Sequence, residues 1–345
     1  MKLQIHPIRL ELVNPWKLAR TEKTDSADVV VVELSCDEIV GYGEASPVRR
    51  YGETAESVRR FLTRLDLNHL RLPLHDSVDY IRNAAGENWA AKCAIETALI
   101  DVAAQKSEKI TSAFLGVDSP DRQHLTSFTI GIADSSSVRA KVVDAQSFPI
   151  LKMKVGTSAD QENLKALREV APLKPIRLDA NEGWDTKEKA IEQLELLARD
   201  PKVEFVEQPM PAGKPIADWK WLKARSPLPI FGDESYHSSI DADRAAECFH
   251  GVNVKLVKAG GVLGALEALK AARARGLKTM LGCMIETSVL ISAAAQLSAL
   301  CDYLDLDGNL LIRNDPYLGV TAERGVLSFA RAQRKTGHCV MPRSR

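Results

Sequence analysis

The first third of the chain alternates polar and apolar positions, whereas the rest groups its apolar residues into short runs. Residues 3 to 12 (LQIHPIRLEL) alternate, and Val29-Val30-Val31-Val32-Glu33-Leu34 and Ile39-Val40-Gly41-Tyr42-Gly43-Glu44 follow around a polar turn. Side chains on a strand point alternately to its two faces, so this pattern predicts a three-stranded antiparallel sheet. Two polar loops accompany it, Asn14 to Asp28 and Ala45 to Gly52, the second carrying Arg49 and Arg50. Apolar residues then recur at helical spacing over Thr54–Leu65, His75–Asn83 and the alanine-rich stretch Trp89–Gln105. The Asp118-Ser119-Pro120-Asp121 turn closes this α+β region.

From about Leu125 short apolar runs alternate with helical segments, which is the rhythm of βα units around a parallel sheet. The strand candidates are Thr126–Ile132, Ile150–Val155, Ile176–Asp179, Val203–Glu207, Ile230–Asp233, Val252–Val257, Lys278–Leu281 and Tyr303–Leu306. Eight such strands close a barrel. The expected fold is therefore α/β, a modified, TIM-like (β/α)8 barrel with an α+β capping domain. Residues 1–122 form the expected cap with its two active-site loops, 123–316 the barrel, and 317–345 a tail packing back on the cap.

Composition narrows the partners. The 345 residues include 46 basic and 46 acidic ones, a net charge of zero without long runs of either sign, which points away from nucleic acid and anionic membranes. No apolar run reaches the roughly 18 residues of a membrane span, and the N-terminus lacks the apolar core of a signal peptide. Cys36, Cys93, Cys248, Cys283, Cys301 and Cys339 lie scattered, without zinc-site pairs or a disulfide framework. A small-molecule substrate and a reducing cytoplasm fit.

The candidate strands end in charge. Lys152 and Lys154 sit on the second, Asp179 on the third, Glu207 on the fourth, Asp233 with Glu234 on the fifth and Lys255 on the sixth. Successive steps from Lys152 are 27, 28, 26 and 22 residues, one βα unit each. Each acid alone reads as a strand-end or turn residue. Three in register at the catalytic end of a barrel read as converging carboxylates, which repel unless a divalent cation neutralises them. An all-oxygen set suits Mg²⁺, so Asp179, Glu207 and Asp233 are the expected ligands, with Asn181 and Glu234 supporting them.

Lys-x-Lys places two ammonium groups on one face of a strand. On a solvated edge strand the pair protects against aggregation. On a buried strand, repulsion and desolvation lower a lysine pKa and produce a general base. Lys154 and Lys255 then flank a metal-bound carboxylate from opposite sides of the barrel mouth. One lysine removes an α-proton and the other returns a proton to the opposite face.

Lys-x-Lys, Asp-x-Asn, Glu-Gln-Pro, Gly-Asp-Glu-Ser and Lys-x-x-Lys-x-Gly-Gly, in that order, resemble the enolase superfamily in its muconate-lactonizing-enzyme subgroup, over nearly the whole chain. The resemblance implies Lys154 as base, Lys152 as its electrostatic neighbour and Lys255 as acid or base on the other face. Lys258, three residues beyond Lys255, is directed elsewhere by strand alternation, towards the following turn. Leu304-Asp305-Leu306-Asp307-Gly308 is similar to the Asp-x-Asp signature of dipeptide epimerases, in which these acids receive the substrate α-ammonium; an ordinary acidic turn is the other reading. Thr129, Glu286, Ile285 and Cys283 match pocket-lining positions of the subgroup, the last two also reading as core. Arg20, in the first capping loop, is placed to pair with an acidic substrate side chain. His237 reads as a hydrogen-bonded structural histidine.

The implied reaction is Mg²⁺-dependent epimerisation of a dipeptide at its C-terminal residue through an enolate, of the L-Ala-D/L-Glu type if Arg20 acts as described, in a symmetric homo-oligomer. Muconate cycloisomerisation and o-succinylbenzoate synthesis compete within the subgroup, but neither substrate carries an ammonium for Asp305 and Asp307. A non-catalytic ligand-binding barrel is the reading from another class.

Overall fold

The structure is a computed structural model describing residues 1–17, 19, 22–118 and 124–344, with Trp16 described by its backbone alone. Strands β1 (Lys2–Trp16), β2 (Thr24–Cys36) and β3 (Ile39–Ala45) pair antiparallel in that order. The four consecutive valines of β2 are all fully buried because this sheet is covered on both faces. Val30 and Val32 join the main core beside the long helix α3, whereas Val29 and Val31 pack with barrel residues Ile312 and Val289.

Helices α1 (Ala55–Leu62), α2 (His75–Asn83) and α3 (Trp89–Lys106) complete the cap. A helix buried all round must be uniformly apolar and slim, which explains the alanines of α3. Its neighbours match: a Cβ on Gly43 would come within 1.9 Å of the Ala94 carbonyl, and one on Gly41 within 2.3 Å of that of Ala98. Only glycine lets β3 lie this close.

Eight parallel strands follow: β4 (Phe128–Ile130), β5 (Leu151–Lys154), β6 (Ile176–Asp179), β7 (Val203–Glu207), β8 (Ile230–Gly232), β9 (Gly251–Lys255), β10 (Lys278–Gly282) and β11 (Tyr303–Asp305). They pair strictly in sequence order, and a parallel bridge between Thr126 and Leu304 joins the first to the last. The barrel has a floor. Phe205 stacks on Phe231 at 4.2 Å with Tyr303 edge-on to both, Met280 packs beside them, and Arg177 lies over Tyr303 while donating to the Leu304 carbonyl at 2.7 Å. Two residues beyond Arg177, Phe205, Phe231 and Tyr303 stand Asp179, Glu207, Asp233 and Asp305.

Cap and barrel are tied by buried carboxylates at helix starts. Glu44 of β3 accepts from the Thr287 amide at 2.9 Å and hydroxyl at 2.6 Å, ahead of the helix Ser288–Ala295. Glu96 of α3 accepts from the Val262 and Leu263 amides at 2.7 and 2.8 Å, where the helix Val262–Ala274 begins. Such ends leave amides without intrahelical partners, so an acid there satisfies donors and meets the favourable end of the helix dipole. Arg334 and His338 of the tail both donate to Asp101 of α3. Among the described residues, no helix is long and apolar enough to cross a membrane.

Candidate active site

β5 lies between β4 and β6, so Lys152 and Lys154 stand on an interior strand and both are buried; the edge-strand reading is excluded. In register, Lys154 faces Asp179 and Asp179 faces Glu207 on the next strand. Lys152 Nζ lies 2.9 Å from Asp179, 2.7 Å from Glu207 and 2.6 Å from Asp305. Lys154 Nζ donates to Asp179 at 2.7 Å. Across the mouth, Lys255 Nζ donates to Asp233 at 2.8 Å.

These contacts correct the electrostatic expectation for Lys152. Burial alone would depress Lys152, but Asp179, Asp305 and Glu207 outweigh it and hold its pKa well above the ordinary lysine value. Lys255 is also raised: Asp233 and Glu207 overcome the burial. The acids divide accordingly. Burial pushes Asp179 and Asp233 up, yet their lysine partners hold both well below the usual carboxylate range. Glu207 is lifted, by burial and then by Asp179.

Lys258 requires a second correction, because it does not leave the site. The strand ends at Lys255 and the chain turns into one helical turn, Leu256–Ala259, where residues three apart return to the same side. Lys258 Nζ therefore reaches the carboxylate and carbonyl of Asp233, the Tyr236 carbonyl at 2.9 Å and the Asn253 carbonyl at 3.2 Å. Two further residues escaped the sequence reading. Asn253 donates to Glu207 at 2.7 Å and Ser127 to Asp305 at 2.7 Å. Each stands two before a residue that was chosen, Lys255 and Thr129, so strand alternation was the available signal.

The ends of β4, β10 and β11 form the other wall. Asp307 accepts from the Thr129 amide at 2.7 Å and is lifted to about 7, by burial first and the charge of Asp305 second. Asp305 stays low because Lys152 more than offsets its burial. Cys283 donates to the Asp305 carbonyl at 3.2 Å, and burial raises its thiol well above the ordinary value. Glu286 accepts from the Met284 amide at 3.0 Å and is pushed by burial to about 7. The Ile285 carbonyl receives the Ser46 hydroxyl at 3.1 Å. Asn181 donates its amide to Asp179 at 3.0 Å and its side chain to Glu234 at 3.5 Å. His237 packs edge-on against Tyr51. Arg20 lies outside the described residues. Together these elements enclose a cavity of about 260 Å³ that reaches Lys152, Lys154, Asp233, Lys255, Asp305 and Asp307.

Among the described residues, no group of three acidic, histidine or cysteine side chains stands in metal-coordinating geometry, although Asp179, Glu207 and Asp233 lie close enough to feel one another's charge. Lys152, Lys154 and Lys255 lie 2.7 to 2.9 Å from these acids. The donor chemistry nevertheless fits a hard divalent cation: three buried carboxylates, one from each of three neighbouring strand ends, all oxygen.

Comparison with known proteins places this arrangement. The profile of the mandelate racemase / muconate lactonizing enzyme N-terminal domain matches residues 3–116, and the enolase C-terminal domain-like profile matches residues 136–321. An L-Ala-D/L-amino acid epimerase of Pedosphaera parvula is 52% identical over 341 residues, covering 98% of each chain. The substrate-liganded L-Ala-D/L-Glu epimerase of Bacillus subtilis superposes with a TM-score of 0.89 at 27% identity over 95% of both chains. The dipeptide epimerase of Cytophaga hutchinsonii, complexed with Mg and D-Ala-L-Val, gives 0.90 at 26% identity over 99% of this chain and 95% of its own.

Proposed function

This chain belongs to the mandelate racemase / muconate lactonizing enzyme family of enolase-like proteins, and from that premise we propose that it is a Mg²⁺-dependent dipeptide epimerase. The observation that carries the reading is that Lys154 and Lys255, on strands four apart in the barrel, line one cavity together with Asp305 and Asp307.

Asp179, Glu207 and Asp233 would hold Mg²⁺, which when bound supplies positive charge to the substrate carboxylate and so makes the adjacent α-proton more acidic. Asp305 and Asp307 receive the α-ammonium of the N-terminal residue. The C-terminal α-carbon then lies between the lysines. Neutral Lys154 Nζ takes the α-proton, and the C–H electron pair moves into the carboxylate as an enolate. Lys255, as the ammonium, returns a proton to the opposite face, and the two exchange roles in the reverse direction. Lys152, held by three carboxylates, keeps its charge and steadies the acids around it.

The relatives' names favour L-Ala as the N-terminal residue, and Glu is one candidate for the second. A cytoplasmic setting belongs to the same reading and is supported by six unpaired cysteines. So does a homo-oligomer, which sedimentation of the purified chain checks.

An L-Ala-L-X dipeptide library incubated with enzyme and Mg²⁺ in D₂O is expected to show α-deuteration and diastereomer interconversion. Neither is expected with Lys154→Ala or Lys255→Ala, provided both fold. Absence of both signals across the library with the wild-type enzyme refutes the assignment.

A further inference from the structure

Arg50, a candidate for substrate contact by its position in the second capping loop, is engaged elsewhere. Its Nε and Nη2 make a bidentate pair with Glu182, at 2.9 and 2.8 Å. The partners are 132 positions apart, one in the cap and the other three residues beyond Asp179. Glu182 is built to receive it. Its side chain is 6% exposed, its Oε1 also accepts the Ala212 amide at 2.8 Å, and its own amide donates to the Gln208 carbonyl at 2.9 Å. Glu182 and Asn181 both hold positive φ, 66° and 43°, a conformation non-glycine residues keep only when the surroundings enforce it.

The loop is tied at two further points. Ser46 donates to the Ile285 carbonyl, and Tyr51 meets the His237 ring edge-on at 5.3 Å. Ser46, Val48 and Tyr51 all line the cavity that holds the lysines, so the ion pair pins a loop whose opposite side is the roof of the site.

We propose that Arg50 and Glu182 are positioning residues, a latch that holds the second capping loop in its substrate-binding place. A bidentate guanidinium–carboxylate pair fixes direction as well as distance, which a single lysine contact does not. With the latch broken, the loop populates open positions, and apparent affinity falls by the fraction of time the roof is in place. Chemistry between Lys154 and Lys255 is untouched once substrate is enclosed. The kinetic part of this proposal rests on the dipeptide epimerase reading; the part concerning the loop does not.

The test is Arg50→Met, which keeps length and removes the charge, followed by backbone hydrogen exchange of residues 46–52 and by kinetics on L-Ala-L-Glu. Exchange in that loop should accelerate and KM should rise, each by about tenfold, with kcat within about twofold of wild type. Arg50→Lys should fall between, and the charge exchange Arg50→Glu with Glu182→Arg should recover part of the loss. Unchanged exchange in Arg50→Met overturns the latch, whatever the substrate proves to be. Faster exchange with an unchanged KM overturns its link to binding, and a large fall in kcat overturns the claim that Arg50 stands outside the chemistry. If no dipeptide is turned over, loop exchange alone decides.

Discussion

Replacing Lys258 by methionine removes one ammonium from the interior and leaves a side chain of similar length that cannot donate. Lys258 is 1% exposed at its side chain and serves four acceptors: the Asp233 carboxylate and the carbonyls of Asp233, Tyr236 and Asn253. Breaking a buried ion pair from one side costs at most about 3–5 kcal/mol here, because Lys255 still holds Asp233 at 2.8 Å while three carbonyls lose their donor. The carbonyls share one ammonium, so their losses overlap with that figure rather than adding to it. Unfolding entropy of about 2.1 cal/mol/K per residue over 345 residues gives about 0.7 kcal/mol per degree, so the thermal midpoint should fall by several degrees, with about 4–7 °C as the upper bound. Lys255→Met is the internal control. It removes one contact to the same carboxylate, at 2.8 Å, and leaves Lys258 holding the other oxygen, so its midpoint should fall by less. Calorimetric melts of both variants at neutral pH in chelator measure the difference. A Lys258→Met midpoint within about 1 °C of wild type, or a larger loss in Lys255→Met, would refute the reasoning.

Three more outcomes are expected. Asp307 titrates at about 7 and must be charged to receive an ammonium, so kcat/KM should decline as pH drops through that value; Asp307→Asn should flatten this limb, and its persistence would reassign it. Glu44 titrates at 4.5 in the unfolded reference and at about 8 when folded, chiefly through burial. Between those values the folded chain keeps a proton that the unfolded chain has lost, so this group makes stability fall as pH rises from 4.5 to about 8. Glu44→Gln should lessen that fall in urea titrations across the range, and an identical pH slope would exclude Glu44 as its source. Chelation should abolish α-deuteration and added Mg²⁺ restore it; full exchange in chelator would count against Asp179, Glu207 and Asp233 as a metal site.

The strands and helices were legible because periods of two and near four run through long stretches, and the barrel order follows from parallel strands taken in sequence. The capping helix α3 was legible from its alanines, while the reason for them, the approach of Gly41 and Gly43, needed the third dimension. At the site, alternation carried the reading as far as the strands continue. It failed at Lys258 because a single helical turn after β9 changes the period, and four residues are too few to announce a helix. The pairing of Arg50 with Glu182 is not legible in the sequence, since 132 positions separate them and Arg50 sits in a 3-10 turn of three residues, Arg49–Tyr51, too short to show a period. The expected lowering of the Lys152 pKa fails for a countable reason. Like charge two residues away is visible in a sequence, but three carboxylates arriving on Lys152 from three other strands are not.

The packed side chains of Phe205, Phe231, Tyr303 and Met280 fill the barrel beneath the lysines. Substrate, product and water pass the same mouth, under the loop that Arg50 holds. On the proposed mechanism, crowding the enzyme with substrate should shorten the time a lysine N–H stands open to water, so label transfer between dipeptides should rise relative to exchange with the solvent.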